Sequence, residues 1–190
     1  SLTRSEQGLP DLTARRFAIL GLQGSGKTVL ARHILGQESY HLVYDTLHEY
    51  KGFHRYLPQH RQYSDQATDE LNRLVKKVVI GTHQVKLFLI DEANTFCPNR
   101  KPLPAAMLAL NDFQRHYGIA LGVIARRPVQ LHTDLIELAH YLFIFCLRGK
   151  NDRQYLDDLA DGLGDQVASL PKYHFAIVDE HRNITIHTPI

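Results

Sequence analysis

Cysteine is nearly missing from this chain. Cys97 and Cys146 are the only two, far apart and in no CxxC spacing, which leaves no disulfide framework and fits a reducing, intracellular setting. Long hydrophobic runs are missing as well. The longest apolar stretches, Val85–Ile90 and Tyr141–Leu147, have the length of buried strands and fall far short of a bilayer span. No charged-then-apolar signal segment opens the sequence, so export is not expected and no transmembrane segment is predicted. Charge of one sign is lacking too: 22 Lys and Arg stand against 20 Asp and Glu, a net charge of +2. That balance does not advertise nucleic-acid binding by itself, although it leaves room for a local basic patch. The twelve histidines, among them His33, His41, His48, His54 and His60, scatter without HxxxH or Cys/His ligand spacing and read as ordinary surface or core residues. No repeat, low-complexity tract or composition break marks a linker. At 190 residues the chain reads as a single domain over 1–190, with an amino-terminal extension over 1–14 and a closing hairpin over 172–188.

What is present is an alternation of apolar runs and helical patterns. Strands are predicted at Arg15–Gly21, Tyr40–Asp45, Val85–Glu92, Gly118–Ala125 and Tyr141–Leu147, with helices between them. The first helix runs from Lys27 to Leu35 and is expected to be closed by Gly36. Further helices fall over Ser64–Gly81, Ala105–His116, Asp134–His140 and Asn151–Ala160. "HFAIVD" and "NITIHT" read as the closing hairpin, turning at Glu180–Arg182. Two-sided apolar strands alternating with helices imply an α/β three-layer sandwich: a mainly parallel central sheet covered on both faces, with the hairpin at its carboxyl-terminal edge. Ligands of such sheets sit at the carboxyl ends of the strands.

Two motifs fall at such ends. Gly21-x-x-x-x-Gly26-Lys27-Thr28 is a phosphate-binding P-loop set between an apolar strand and an amphipathic helix. Its glycines let backbone N–H groups turn inward around phosphate oxygens, and the helix start adds a positive dipole end. Gly21, Gln23, Gly24, Ser25, Gly26, Lys27, Thr28 and Val29 are the nucleotide-binding candidates. Lys27 reaches toward the β- and γ-phosphates, and the Thr28 hydroxyl toward Mg²⁺. The second motif is "LFLIDE", an apolar strand that delivers Asp91 to its end as a second Mg²⁺ candidate. Glu92 follows, positioned to polarise a water for attack on the γ-phosphate. An acid pair about 60 residues after a P-loop indicates a nucleotide-hydrolysing site using ATP and Mg²⁺.

"RHYGIALGVIARRP" (Arg115–Pro128) then resembles the HerA/FtsK superfamily of ring-forming, DNA-pumping ATPases, with Arg115, Gly118, Ile119, Arg127 and Pro128 at the spacings of its pattern. "VYDTLHEY" is similar to the superfamily's second strand through Asp45, Glu49 and Tyr50, and residues 137–159 resemble its fifth strand and following helix. The resemblance runs from about residue 15 to 160 and implies a RecA/FtsK-like P-loop NTPase fold. It also implies a sensor at the end of the fourth predicted strand, usually glutamine. Here that position is Arg126, which either contacts phosphate itself or forms, with Arg127, a solvated pair capping the strand. Arg115 corresponds to an arginine finger given in trans, worth about 10³–10⁵ in rate. That role requires head-to-tail packing, which closes into a ring. The alternative for Arg115 is an exposed arginine stabilising the helix end.

Cellular members of the superfamily carry an amino-terminal barrel, a membrane anchor or a winged-helix tail, and this sequence reads as a bare motor core. It is in this most like the genome-packaging ATPases of membrane-containing viruses. The resemblance implies a homo-oligomeric ring, pentamer or hexamer, threading double-stranded DNA toward a capsid or vertex protein, in the host cytoplasm or on the virion. Arg100 and Lys101 in "CPNRKP" are the DNA-contact candidates, set against an ordinary solvated loop; Arg55 and Arg61 form a weaker patch. Other readings are an assembly or secretion ATPase resembling zonula-occludens toxin, a nucleotide-binding scaffold without hydrolysis, and a small-molecule kinase. The intact Lys27, Thr28, Asp91 and Glu92 argue against the scaffold, and the Arg115–Pro128 block against the kinase.

Overall fold

One sheet organises the chain, and its strand order decides where the two motifs meet. The computed structural model describes Leu2 and residues 8–190. The amino-terminal extension is therefore seen at Leu2 and from Gly8 on; residues 1 and 3–7 lie outside the described residues. The strands are β1 (Arg16–Leu20), β2 (His41–Tyr44), β3 (Arg55–Tyr56), β4 (Leu87–Ile90), β5 (Ala120–Ala125), β6 (Tyr141–Phe145), β7 (Phe175–Val178) and β8 (Ile184–His187). They lie in the order β3-β2-β4-β5-β1-β6-β7-β8. Pairing is parallel from β3 through β6 and antiparallel for β6–β7 and β7–β8, so the carboxyl-terminal hairpin forms the edge expected of it.

Both faces of the sheet are apolar because successive side chains point to opposite sides. Phe17, Ile19, Leu87, Leu89, Phe143 and Phe145 face one way, against Leu30, Ala31, Ile34 and Leu35 of helix α1 (Lys27–Gly36) and against Leu9 and Leu12. Ala18, Leu20, Phe88, Ile90, Leu142 and Ile144 face the other way. There they meet α2 (Asp65–Leu74), α4 (Ala105–Tyr117), α5 (Thr133–Glu137), α6 (Lys150–Leu159) and α7 (Leu163–Ala168), while α3 (Ala93–Phe96) is a single turn after β4. This is the three-layer sandwich, with α1 the one helix on the P-loop face among the described residues.

Several local expectations are corrected. Gly36 does not close α1 by a left-handed turn; it is the last helical residue. Gln37 beyond it stays right-handed, and its N–H tightens the final turn by donating to the carbonyls of Ile34 and Leu35. The helix expected over Ser64–Gly81 starts as anticipated, with the Ser64 hydroxyl accepting from the Ala67 N–H at 3.1 Å. Past Leu74 it widens into a π-helical stretch, Val75–Ile80, that keeps Val75 and Val79 in the core. β3 and α7 are additional elements. Among the described residues no helix is long and apolar enough to cross a membrane.

Candidate active site

The register of the central strands brings four segments to one end of the sheet. Leu20 at the end of β1 is level with Ala125 at the end of β5, and the Gly21 N–H continues the ladder by donating to the Ala125 carbonyl at 3.2 Å. Ile90 of β4 pairs with Val123, which sets Asp91 and Glu92 beside the last residues of β5. Arg126 follows directly after β5. The P-loop, the acid pair and the strand-end arginine thus share one carboxyl edge, with β5 between the other two strands.

Gln23, Gly24, Gly26, Lys27, Thr28 and Val29 border a cavity of about 290 Å³ there, together with Leu47, Glu49, Asp91, Glu92, Arg126 and Tyr173. Gly24 (φ 79°) and Gly26 (φ 113°) are left-handed, a conformation that aims consecutive N–H groups into the loop and that a side chain would strain. Gly26 is also pressed against β6: a Cβ on it would lie 3.0 Å from the Phe145 ring. Gly21 and Ser25 belong to the loop without bordering the cavity. Lys27, 9% exposed, donates from Nζ to the Gly21 carbonyl. Burial lowers its pKa, while Glu92 and Asp91 act to raise it.

Asp91 is 4% exposed, and its Oδ2 has no hydrogen-bond partner. Its backbone is fixed from both sides, the N–H donating to the Tyr44 carbonyl at 3.1 Å and the carbonyl accepting from the Thr46 hydroxyl at 2.8 Å. Burial first, then the charges of Glu92, Glu49 and Asp45, push the Asp91 carboxyl up to about 7. A buried, unpartnered carboxylate oxygen facing a lysine is what a hard cation takes, and the nearby Thr28 hydroxyl adds a second oxygen; the donor set fits Mg²⁺. Glu92 sits in the left-handed region (φ 51°) at the start of α3, and its Oε1 accepts from Arg126 Nε at 3.3 Å.

The two strand-end arginines therefore part company. Arg126 turns to Glu92 and the cavity, and Arg127 donates from Nε to the buried Asp152 at 2.8 Å. Each arginine holds its own ion pair while staying partly solvated. Arg115 is exposed on the last turn of α4, which feeds the amino end of β5, so it does not border its own chain's cavity. Arg100 and Lys101 are exposed in the loop after α3; Arg100 borders a separate open hollow with Asn99 and Gln130. Arg55, partly exposed, pairs with the buried Asp45 at 2.8 Å.

Three cavity residues had no role in the sequence reading. Glu49 accepts from the Thr28 hydroxyl at 3.0 Å, and its own backbone is clamped, N–H to Asp45 and carbonyl to Arg32. The Asp45–Glu49–Tyr50 spacing was the available signal. Leu47 belongs to the same loop. Tyr173, left-handed at φ 65°, arrives from the segment before β7 and carries no sequence signal.

Fold and site together define a P-loop NTPase-like α/β protein. No family model matches the chain. Over 104 residues, 53% of its length, the chain is 27% identical to a probable DNA double-strand break repair helicase HerA of Methanocaldococcus jannaschii, and the match spans 20% of that protein. Among solved structures it is similar to the genome packaging NTPase B204 of Sulfolobus turreted icosahedral virus 2 in complex with AMPPCP. The TM-score is 0.76 at 20% identity, over 93% of this chain and 98% of that one. The amino-terminal domain of zonular occludens toxin from Neisseria meningitidis aligns with a TM-score of 0.60 at 17% identity, over 94% and 95% of the two chains. These similarities agree with the HerA/FtsK resemblance carried by the motifs.

Proposed function

We propose that this protein is an ATP-hydrolysing double-stranded DNA translocase, a viral genome-packaging motor acting as a homo-oligomeric ring in the host cytoplasm or on the virion. The observation that carries the reading is the convergence of Lys27, Thr28, Asp91, Glu92 and Arg126 on one cavity behind a left-handed glycine loop. The likeness to a packaging NTPase in fold and to a HerA helicase in sequence supports the choice of motor.

In this reading the loop amides and Lys27 bind the phosphate tail, Lys27 exchanging the Gly21 carbonyl for phosphate oxygens. Thr28 and Asp91 would hold Mg²⁺, which when bound neutralises phosphate charge. Glu92 accepts a proton from the attacking water as the new P–O bond forms, and the bond to the β-phosphate breaks with its electron pair leaving on ADP. Arg126 starts paired to Glu92; a γ-phosphate offers the guanidinium a stronger partner and frees the carboxylate to act as base. Arg115, remote from its own cavity, supplies the finger to the next copy in the ring. Arg100 and Lys101 touch DNA phosphates, and a capsid or vertex protein anchors the ring.

The likeness to the zonular occludens toxin domain supports a second reading, an assembly or secretion ATPase. ATP turnover with and without long duplex DNA separates the two. The motor reading expects stimulation by DNA, turnover abolished in Glu92→Gln, and turnover lost in Arg115→Ala. Turnover indifferent to DNA would overturn the translocase and leave the nucleotide site standing.

A further inference from the structure

Arg115 sits on a turn that another arginine holds. Arg16, the first residue of β1, reaches across to α4, where its guanidinium donates to the Asn111 carbonyl at 2.7 Å. In an α-helix that carbonyl also receives the N–H four residues on, which is that of Arg115. The turn is thus fixed from behind by a charge-assisted bond, stronger than its neutral counterpart. From ahead it is fixed by the left-handed Gly118, whose N–H donates to the Arg115 carbonyl at 3.1 Å. Arg16 itself has little freedom. Its N–H donates to His140 Nδ1 at 3.0 Å, its carbonyl accepts from the His140 N–H at 2.8 Å, and β1 is paired along both edges. Charge works in the same direction. Asp112 lies three residues before Arg115, at the spacing of a helical ion pair, yet its charge acts on Arg16, where it opposes the fall in pKa that burial imposes. Among the described residues Arg115 has no carboxylate within ion-pair distance.

We propose that Arg16 is a positioning residue for Arg115: it sets the turn from which Arg115 reaches the phosphate cavity of the neighbouring copy. The proposal rests on the reading that Arg115 acts in trans. Arg16 touches no nucleotide in either protomer; it works through the Asn111 carbonyl and the helix turn that ends in Arg115. Misplacing a group that acts on the transferring phosphoryl by about 1 Å costs on the order of a hundredfold in rate. Loss of the Arg16 contact is therefore felt in the neighbour's site. The protomer's own P-loop, at the far end of β1, keeps its place through the Gly21 N–H and the Ala125 carbonyl.

The test mixes two variants of the full chain and measures ATP turnover with long duplex DNA present. Glu92→Gln keeps the arginine and lacks the base; Arg115→Ala keeps the hydrolytic site and lacks the arginine. Their mixture should recover turnover that neither shows alone, one copy supplying the arginine to the other. Arg16→Met added to the Glu92→Gln partner should cut the recovered turnover by about ten- to a hundredfold. The same change added to the Arg115→Ala partner should leave it unchanged. Arg16→Lys on the Glu92→Gln partner, which keeps a charged donor, should restore part of the loss. An equal loss on both sides would mean that Arg16 only supports the fold, and no loss on the Glu92→Gln side that Arg115 is placed without it; either overturns the proposal. Turnover retained by Arg115→Ala alone, or no recovery when the two parent variants are mixed, would overturn the trans reading of Arg115 and the positioning role with it, leaving the nucleotide site standing.

Discussion

Asp91 should make the protein less stable than it need be, and replacing it with its neutral isostere should reveal by how much. Its carboxyl moves from an ordinary 3.8 to about 7, chiefly through burial. At 1.36 kcal/mol for each tenfold change in proton affinity, carrying the ionised form in the fold costs at most about 4 kcal/mol. The sign follows from which state binds the proton. Between the two values the native chain holds a proton on Asp91 that the unfolded chain has lost, so stability falls as pH rises from about 4 to about 7 and is level above that. Asp91→Asn lacks this titration and keeps the shape. Urea unfolding of wild type and Asp91→Asn across that range should give a stability difference that grows in the variant's favour by about 2–4 kcal/mol, then stays constant to pH 8.5. Adding Mg²⁺ with AMPPCP should stabilise the wild type more than the variant, because the variant keeps the phosphate loop but lacks the anionic cation ligand. A difference that is flat with pH, or that turns toward the wild type as pH rises, would refute the argument: it would mean that the ionised carboxylate has a partner in the fold.

Two further outcomes follow from one contact at the cavity and one behind the end of β5. Glu49 accepts the hydrogen bond of the Thr28 hydroxyl and so leaves the oxygen lone pairs for a cation; Glu49→Ala should weaken Mn²⁺ binding in the presence of AMPPCP by about tenfold, read by electron paramagnetic resonance. Arg127→Ala strips the buried Asp152 of its one charged partner, and because the arginine is about a third exposed the loss should fall near 2–3 kcal/mol, measured by urea unfolding, with Asp152→Asn in the same chain recovering part of it.

The layers of the fold were legible because each central strand is apolar on both sides and is followed by a helix of plain periodicity. The P-loop and the acid pair were legible because each is a local word whose spacing has a chemical reason. What escaped depends on contacts distant in sequence. β3 is two residues long and exists because Asp45 and Glu70 anchor its loop, Glu70 accepting from Tyr56, Gln59 and His60. Tyr173 reaches the cavity only because β7 turns antiparallel beside β6, and no local pattern announces that. Gly36 misled because a glycine near a helix end is as compatible with the last turn as with the stop. The sensor position was the reverse case: the identity of Arg126 departed from the family pattern, yet the register of β5 brings it to Glu92.

β5 joins two arginines of different address. Arg126 leaves its carboxyl end beside the acid pair, while Arg115 lies across the turn that enters its amino end. Six residues separate those ends by roughly 20 Å, and parallel neighbours hydrogen-bonded along both edges deny the strand any slack. Such an element cannot absorb a displacement by bending; it hands it on. In a head-to-tail ring, the loss of one phosphate beneath Arg126 would be reported, along a single stiff rod, to the arginine offered to the next copy. The order of firing around the ring would then be written into one strand.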